Sequence, residues 1–492
     1  MPIELSVEDL PEISHRASVP RYQRGSLKGG IVHFGVGNFH RAHQAVYLDS
    51  LFNLGLDHDF ALIGAGVRAN DEDMRKKLLG QDYLTTVVEQ EAGSTSARIT
   101  AAMIDFLPVG DLPQISETLA DPQVRIVSLT VTEGGYYIDP ASQLFDAGHP
   151  DIVADSTNPE SPKTVFGLIL LGLQLRKERG IAPFTVMSCD NIPGNGHVTQ
   201  NAVAGLAELI NPELAKWVRE AVAFPNGMVD RITPATGQRE RDALEAEFGI
   251  VDSWPVFCEE FKQWVLEDHF PAGRPALERV GVQFVPDVAP YEHMKIRILN
   301  GGHATIAYPA GLLDIHFVHE AMEHPLVRAF LEKVEREEIV PVVPPVPDTD
   351  LGDYYKLIER RFSNPKIADT IQRLCLDGSN RQPKFILPSA ADRLAAGQTV
   401  TGLALVTALW ARYCYGESDS GRPIAPNDPN WDRLTALAKE AKADPNAWLT
   451  MGDIFGPLAS NPIYVGAFTK ALSSLWVRGT KATLEAYLDN AL

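Results

Sequence analysis

The sequence predicts an α/β protein, a Rossmann-type doubly wound sheet domain followed by a mainly α-helical domain. Three observations carry this. Apolar strand-like runs alternate with helical patterns through the first half of the chain. A strand, a glycine turn and a helix follow one another at residues 30–54. Past Pro286 and Pro290, helical patterns dominate. The expected division is therefore 1–286, a dinucleotide-binding domain, and 287–492, a helical substrate-binding and catalytic domain.

A chain of 492 residues has room for two such cores. With 45% hydrophobic and 22% charged residues it has the composition of a folded globular protein, not a disordered one. The net charge of −20 argues against nucleic acid or anionic membrane as a partner, and leaves a small neutral substrate open. Cys189, Cys258, Cys375 and Cys414 are too scattered for a zinc knuckle or a redox pair. Residues 1–6 lack the basic and apolar regions of a signal peptide, and no uncharged apolar run reaches 18 residues, so the cytoplasm is the expected compartment.

Residues 1–29 read as an acidic segment and a loop, without chemistry. The first informative stretch is Ile31-Val32-His33-Phe34-Gly35-Val36-Gly37-Asn38-Phe39, leading into a helix at 44–54. Glycines after a strand allow a tight turn and a close backbone approach, and the helix N-terminus then faces a pyrophosphate. The usual third glycine is replaced by His40. A second buried strand at 60–67 ends at Arg68 and Asp71. A carboxylate there suits a ribose 2′-hydroxyl and repels a 2′-phosphate, which favours NAD over NADP, with Arg68 moderating that choice. Asp71 equally suits the first turn of a helix.

Further strand-like runs stand at 85–89, 124–131 and 184–189, with an amphipathic helix at 162–180. Ligands of such sheets bind beyond the carboxyl ends of the strands, which singles out Glu133 and Asn191. Asn191 offers an amide donor; Asn and Asp at a strand end are also ordinary turn residues. Asp230 and Arg231 lie in an apolar run and need a partner or a ligand. Residues 238–248 and 256–270 read as helices, the second with Phe261 and Trp264 inward, and 340–347 as an extended proline-rich loop. Helices follow at 354–362, 367–377, 389–396 and 403–415; between them, 377–385 reads as a loop with two cations, Arg381 and Lys384, and Arg373 lies one turn before the loop.

The second domain opens on residues 291–303. Wound at about 100° per residue, this segment puts Glu292 at roughly +60°, Asn300 near +140° and His303 near +80° from Lys295. Four polar groups then share one face while Met294, Ile298 and Leu299 pack elsewhere. An amphipathic helix with its wet side out has the same pattern. Gly301-Gly302 weakens a helix and lets a ligand approach the backbone beside Asn300 and His303, which points to an active-site helix facing the first domain. Lys295 would be the base that deprotonates an alcohol, Asn191 and Asn300 the oxyanion donors, His303 an orienting group, and Glu292 the proton's way to solvent. Asp230, Arg373 and a loop cation would hold further hydroxyls.

These segments resemble the polyol-specific long-chain dehydrogenases, the mannitol dehydrogenase family. The resemblance runs from about residue 20 to the C-terminus. Phe34-Gly35-Val36-Gly37-x-Phe39-His40-Arg41-Ala42-His43 is similar to its cofactor motif, and Lys295-x-x-x-x-Asn300-x-x-His303 to its catalytic motif. Ser188-Cys189-Asp190-Asn191 and the segment around Asn226, Asp230 and Arg231 fit as well. The resemblance implies interconversion of a polyol and a ketose, D-mannitol and D-fructose foremost, with NAD(H), without a metal and as a monomer. Other members act on arabinitol, sorbitol or hexuronates. It implies Phe34 to Phe39, Arg68, Asp71 and Glu133 around the cofactor, Lys295 as base, Asn191 and Asn300 as oxyanion donors, and His303, Asp230, Arg373 and Arg381 at the substrate. Three positions depart from the pattern: Asn38 where glycine is expected, Asn70 where a second acid is, and Arg381 where lysine is. A Schiff-base aldolase would also use a desolvated lysine but needs no dinucleotide turn. A non-catalytic NAD and sugar sensor would need no lysine face.

Overall fold

Five short parallel strands carry the first part of the chain. They are β1 (Gly29–Phe34), β2 (Ala61–Ala65), β3 (Met103–Phe106), β4 (Ile126–Leu129) and β5 (Thr185–Ser188), in the spatial order β3-β2-β1-β4-β5. Crossover helices cover the sheet, so β4 and β5 are buried along their whole length. That is why the apolar runs are continuous rather than alternating. The order reverses at β1, where the chain leaves in one direction toward β2 and later returns on the other side as β4, and a crevice opens at such a switch point. The computed structural model describes residues 2–139 and 144–492. It falls into two units, Met1–Ala289 and Pro290–Leu492.

Two expectations fail in the first unit. The run at 85–89 is no part of the parallel sheet. It belongs to Thr85–Glu91, which pairs antiparallel with Ser94–Thr100 and parallel with Val256–Glu259. The helix expected at 256–270 is instead two strands, Val256–Glu259 and Gln263–Glu267, the latter between Gly227–Asp230 and Gln283–Val285. Val256-Phe257-Cys258 and Trp264-Val265-Leu266 are rich in β-branched and aromatic residues, and partner strands outweigh the helix-forming Glu, Lys and Gln between them. Trp264 is fully buried, as expected, whereas Phe261 is only half-buried.

The second unit is helical. Its centre is Thr401–Tyr413, buried almost all round and packed against Pro462–Leu488, two helices joined at a kink where Gly479 is non-helical. Several local readings change. Residues 367–377 hold only the single turn Ile371–Leu374, and residues 378–385, expected as loop, form the helix Gly378–Phe385 with Pro383 inside it. The proline-rich segment starts with one tight turn, Val340–Val342, and only then runs extended. A π-helical turn, Glu335–Ile339, leads into it. Among the described residues, no helix is long and apolar enough to cross a membrane.

Candidate active site

The glycine turn after β1 is braced from beneath. Gly35 has φ +93°, and a side chain there would run into the Thr130 carbonyl, so only glycine fits. The Gly35 carbonyl accepts from the Thr130 hydroxyl at 2.6 Å. The His33 ring lies within hydrogen-bond distance of the same Thr130 oxygen, 2.9 Å from Nε2, and of the Ser128 hydroxyl, 2.8 Å from Nδ1. Gly37 is the opposite case: it is exposed, a methyl there would meet little, and its backbone is open to close approach. The turn therefore fits a dinucleotide pyrophosphate. The missing third glycine has a physical substitute, because His40 lies flat on His33 and two parallel rings keep helix and strand close. The Asn38 side chain points inward, donating to Pro234 O and Thr236 Oγ1 and accepting from Arg41 and Trp254. Phe39 stacks on His43. Phe34 and Val36 are core.

At the end of β2, Asp71 caps the helix Ala69–Leu79: its Oδ2 accepts from the backbone N–H of Val67 and of Arg68, both at 2.8 Å. Its Oδ1 lies outside that cap. Gly66 has no room for a side chain because Asp71 fills the space. Arg68 itself is exposed.

Beyond β4 and β5 the organiser is Asp190. Its carboxylate accepts from Val131 N, Thr132 N and the Tyr136 hydroxyl, tying the loop that carries exposed Glu133 to the one that carries exposed Asn191. Burial raises the Asp190 pKa, partly countered by these bonds. Thr132 stands at φ +67°, a strained conformation for a β-branched residue, of the kind that collects at functional loops. Asp230 is buried, at the end of Gly227–Asp230. Arg231 is structural: it pairs with Glu89 at 2.5 Å and donates to the Glu259 and Ala42 carbonyls.

The helix at the head of the second unit is not regular. Ala289–Met294 is α-helical, Lys295–Asn300 is a π turn, and Gly301–Leu312 is α-helical again. In a π turn, bonded residues are five apart, so Asn300 comes one turn above Lys295 instead of about 140° round, as a uniform helix would place it. The expected shared face is thereby tightened, and π turns of this kind recur at functional sites. Lys295 is 7% exposed; Glu292, Asn300 and His303 are half-buried. Met294, Ile298 and Leu299 are buried as expected. The His303 ring stacks on Phe362, centroids 4.1 Å apart. Burial first, and then the charges of Arg373, Arg361 and Arg381, hold that imidazole neutral, its pKa well below the usual value. Arg373 grips Asp369 through Nε and Nη2, and Arg381 donates to the carbonyls of Arg373 and Leu374.

Residues 29–279 match the mannitol dehydrogenase Rossmann domain, and residues 287–476 the mannitol dehydrogenase C-terminal domain. The chain belongs to the mannitol dehydrogenase family. Mannitol 2-dehydrogenase of Cereibacter sphaeroides is 61% identical over 470 residues, covering 95% of this chain and 98% of that protein. The Neosartorya fischeri mannitol 2-dehydrogenase is 40% identical, covering 99% and 100%. Among solved structures, the Pseudomonas fluorescens mannitol 2-dehydrogenase ternary complex with NAD and D-mannitol superposes with a TM-score of 0.88 at 43% identity, covering 99% of this chain and 100% of that one. A substrate-free D-sorbitol dehydrogenase superposes at 0.91 with 33% identity, covering 98% and 100%.

Several groups around these family motifs were not singled out by the sequence. Asp190 had a signal, as an acid directly beyond a buried strand. Phe362, Arg361 and Asp369 had none, because they come near His303 and Arg373 only through packing. Among the described residues, no group of three or more His, Cys, Asp or Glu is placed to hold a metal ion, and the four cysteines are free and buried.

Proposed function

We propose that this member of the mannitol dehydrogenase family is a mannitol 2-dehydrogenase, oxidising D-mannitol to D-fructose with NAD+. The observation that carries the reading is the 61% identical relative of that activity, matched over 98% of its length. The braced glycine turn, with Gly37 open to close approach, supports Phe34 to Phe39 as the cofactor turn. Asp71, Arg68 and Glu133 complete the cofactor side, and Oδ1 of Asp71, outside the cap, is the acceptor for a ribose hydroxyl. When bound, the nicotinamide supplies the acceptor for the hydride that leaves the carbinol carbon.

The chain's own residues do the rest. Lys295 takes the hydroxyl proton onto Nζ, the part of a general base. Asn191 and Asn300 donate to the oxygen as negative charge develops on it. Glu292 passes the proton between Lys295 and solvent. His303, neutral beside three arginines, bonds a neighbouring hydroxyl, and Asp230, Arg373 and Arg381 hold the remaining ones. In ketose reduction the same groups act in reverse, with the ammonium of Lys295 as acid. No metal enters this scheme, and the enzyme acts as a monomer.

The D-sorbitol dehydrogenase likeness favours a second reading in which another polyol is preferred. An initial-rate screen of mannitol, sorbitol, arabinitol and their ketoses with NAD(H) and NADP(H), with and without chelator, decides. The highest kcat/KM for mannitol and fructose with NAD(H), unaffected by chelator, is expected. Preference for another polyol, or loss of activity with chelator, overturns the assignment.

A further inference from the structure

The run Glu335-Arg336-Glu337-Glu338 looks like a solvated charged face, yet two of its acids are enclosed. Glu338 is there for the fold, since its carboxylate accepts from the N–H of Gly402 and of Leu403 at the start of the central helix. Glu335 makes no such bond. It is 0% exposed, and neither oxygen has a hydrogen-bond partner among the described residues. Burial alone drives its pKa far above the usual carboxyl range, which favours the protonated form. An apolar side chain of similar volume would be more stable there than an unpaired carboxyl.

What surrounds Glu335 is the back of the catalytic helix. A methyl on Gly302 would stand 3.1 Å from Glu335 Oε1 and 3.3 Å from Phe362 Cε2. The Phe362 ring in turn lies flat on His303, planes within 15°. His303 Nε2 is itself buried and without a partner among the described residues, as is the Tyr355 hydroxyl. Burial first, and then the charge of Glu359, oppose ionisation of that hydroxyl. Orphaned buried polar atoms are uncommon, and those of Glu335, His303 and Tyr355, on three elements of the same unit, have the bonding capacity for an ordered water.

We propose that Glu335 is a positioning residue for His303, reaching Nε2 through one buried water and so fixing which ring nitrogen carries the proton and how the ring faces. A protonated carboxyl both donates and accepts, so it can complete such a chain with Tyr355 as the third member. Nε2 is the enclosed nitrogen, which leaves Nδ1 to meet the polyol. This role rests on His303 contacting substrate, as proposed above.

The test compares E335M, close in volume and apolar, with E335Q, which keeps a donor and an acceptor. E335M is expected to raise the KM for mannitol about tenfold with kcat changed less than about twofold, and E335Q to stay within about twofold of wild type. In an H303A background, E335M should add nothing further, since the two act as one unit. An unchanged KM in E335M, or an equal penalty with and without His303, overturns the proposal. The ring-nitrogen NMR shifts of His303, assigned by difference against H303A, give a readout that needs no turnover: they should move in E335M and not in E335Q. Should wild type turn over no polyol, the functional reading fails by itself, and unmoved His303 shifts in E335M still overturn the role of Glu335.

Discussion

The imidazole of His40 lies on that of His33 with ring centroids 3.4 Å apart and planes within 15°. Both rings are fully enclosed beneath the glycine turn. Stacked this closely, two imidazoles are compatible only with neutral rings, and burial pushes the His33 pKa down to about 3. His40 is lowered well below its usual value too, by burial and then by the charge its neighbours would carry.

Acid should therefore loosen the turn. The unfolded chain takes up a proton on His33 near pH 6.5, whereas the folded chain resists until about pH 3. The stability contributed by the neutral ring is complete above about pH 6.5 and is lost as pH falls through that window, several kcal/mol in all. Urea unfolding of wild type between pH 7 and 4.5 is expected to show a steeper fall than that of His33→Asn, although the variant is about 2 kcal/mol less stable at pH 7. Parallel pH profiles would remove His33 from the effect.

Gly35 and Gly37 should separate folding from binding. Gly35→Ala forces a side chain into φ +93° against the Thr130 carbonyl, and a loss of about 2 kcal/mol or more is expected together with loss of NADH binding. At φ −92°, Gly37→Ala meets only the Gly35 carbonyl, at an ordinary contact distance of 3.8 Å, so its melting temperature should stay put while NADH affinity falls. Unchanged NADH affinity in Gly37→Ala would place the pyrophosphate elsewhere.

How much of this was legible in the sequence differs by residue type. Strands buried on both faces write themselves as apolar runs, so β1, β2, β4 and β5 could be read directly, and the glycine turn follows from Gly35. The pair Val256–Glu259 and Gln263–Glu267 could not, because their identity as strands comes from partners far away in the chain, Val87 and Met228 among them. The π turn at Lys295 leaves no mark in a pattern read at one fixed angle. Glu335 was invisible for a related reason: nothing local distinguishes it from its exposed neighbour Glu337.

Asp71→Ala should show two effects of separate origin. Loss of the cap on Val67 and Arg68 is expected to lower stability by about 1 kcal/mol. Loss of the carboxylate proposed to meet the ribose should weaken NADH and shift the NADH to NADPH affinity ratio about tenfold toward NADPH. Fluorescence titration with both cofactors measures this. A destabilised variant with an unchanged ratio would leave the cap as the only role of Asp71.

Asp369 holds the guanidinium of Arg373, a pair in which the arginine side chain is 51% exposed. So exposed a pair adds at most about 1 kcal/mol to stability; with Arg373 at the substrate, as proposed, the pair would aim the arginine. Asp369→Asn is expected to raise the KM for mannitol about tenfold, with kcat and NADH affinity little changed. A fall in kcat at constant KM would show that Arg373 does not serve ground-state binding.

Lys295, enclosed at the start of the π turn with Asn300 one turn above it, is the group on which the proposed chemistry turns. Single-turnover oxidation of mannitol by Lys295→Ala, at NAD+ and mannitol concentrations that saturate the variant, isolates the chemical step. A rate lower by three or more orders of magnitude, on the order of 4 kcal/mol in the barrier, with NADH affinity kept within about threefold, is the predicted result. A variant that oxidises mannitol within about tenfold of the wild-type rate would contradict the assignment of Lys295 as the base.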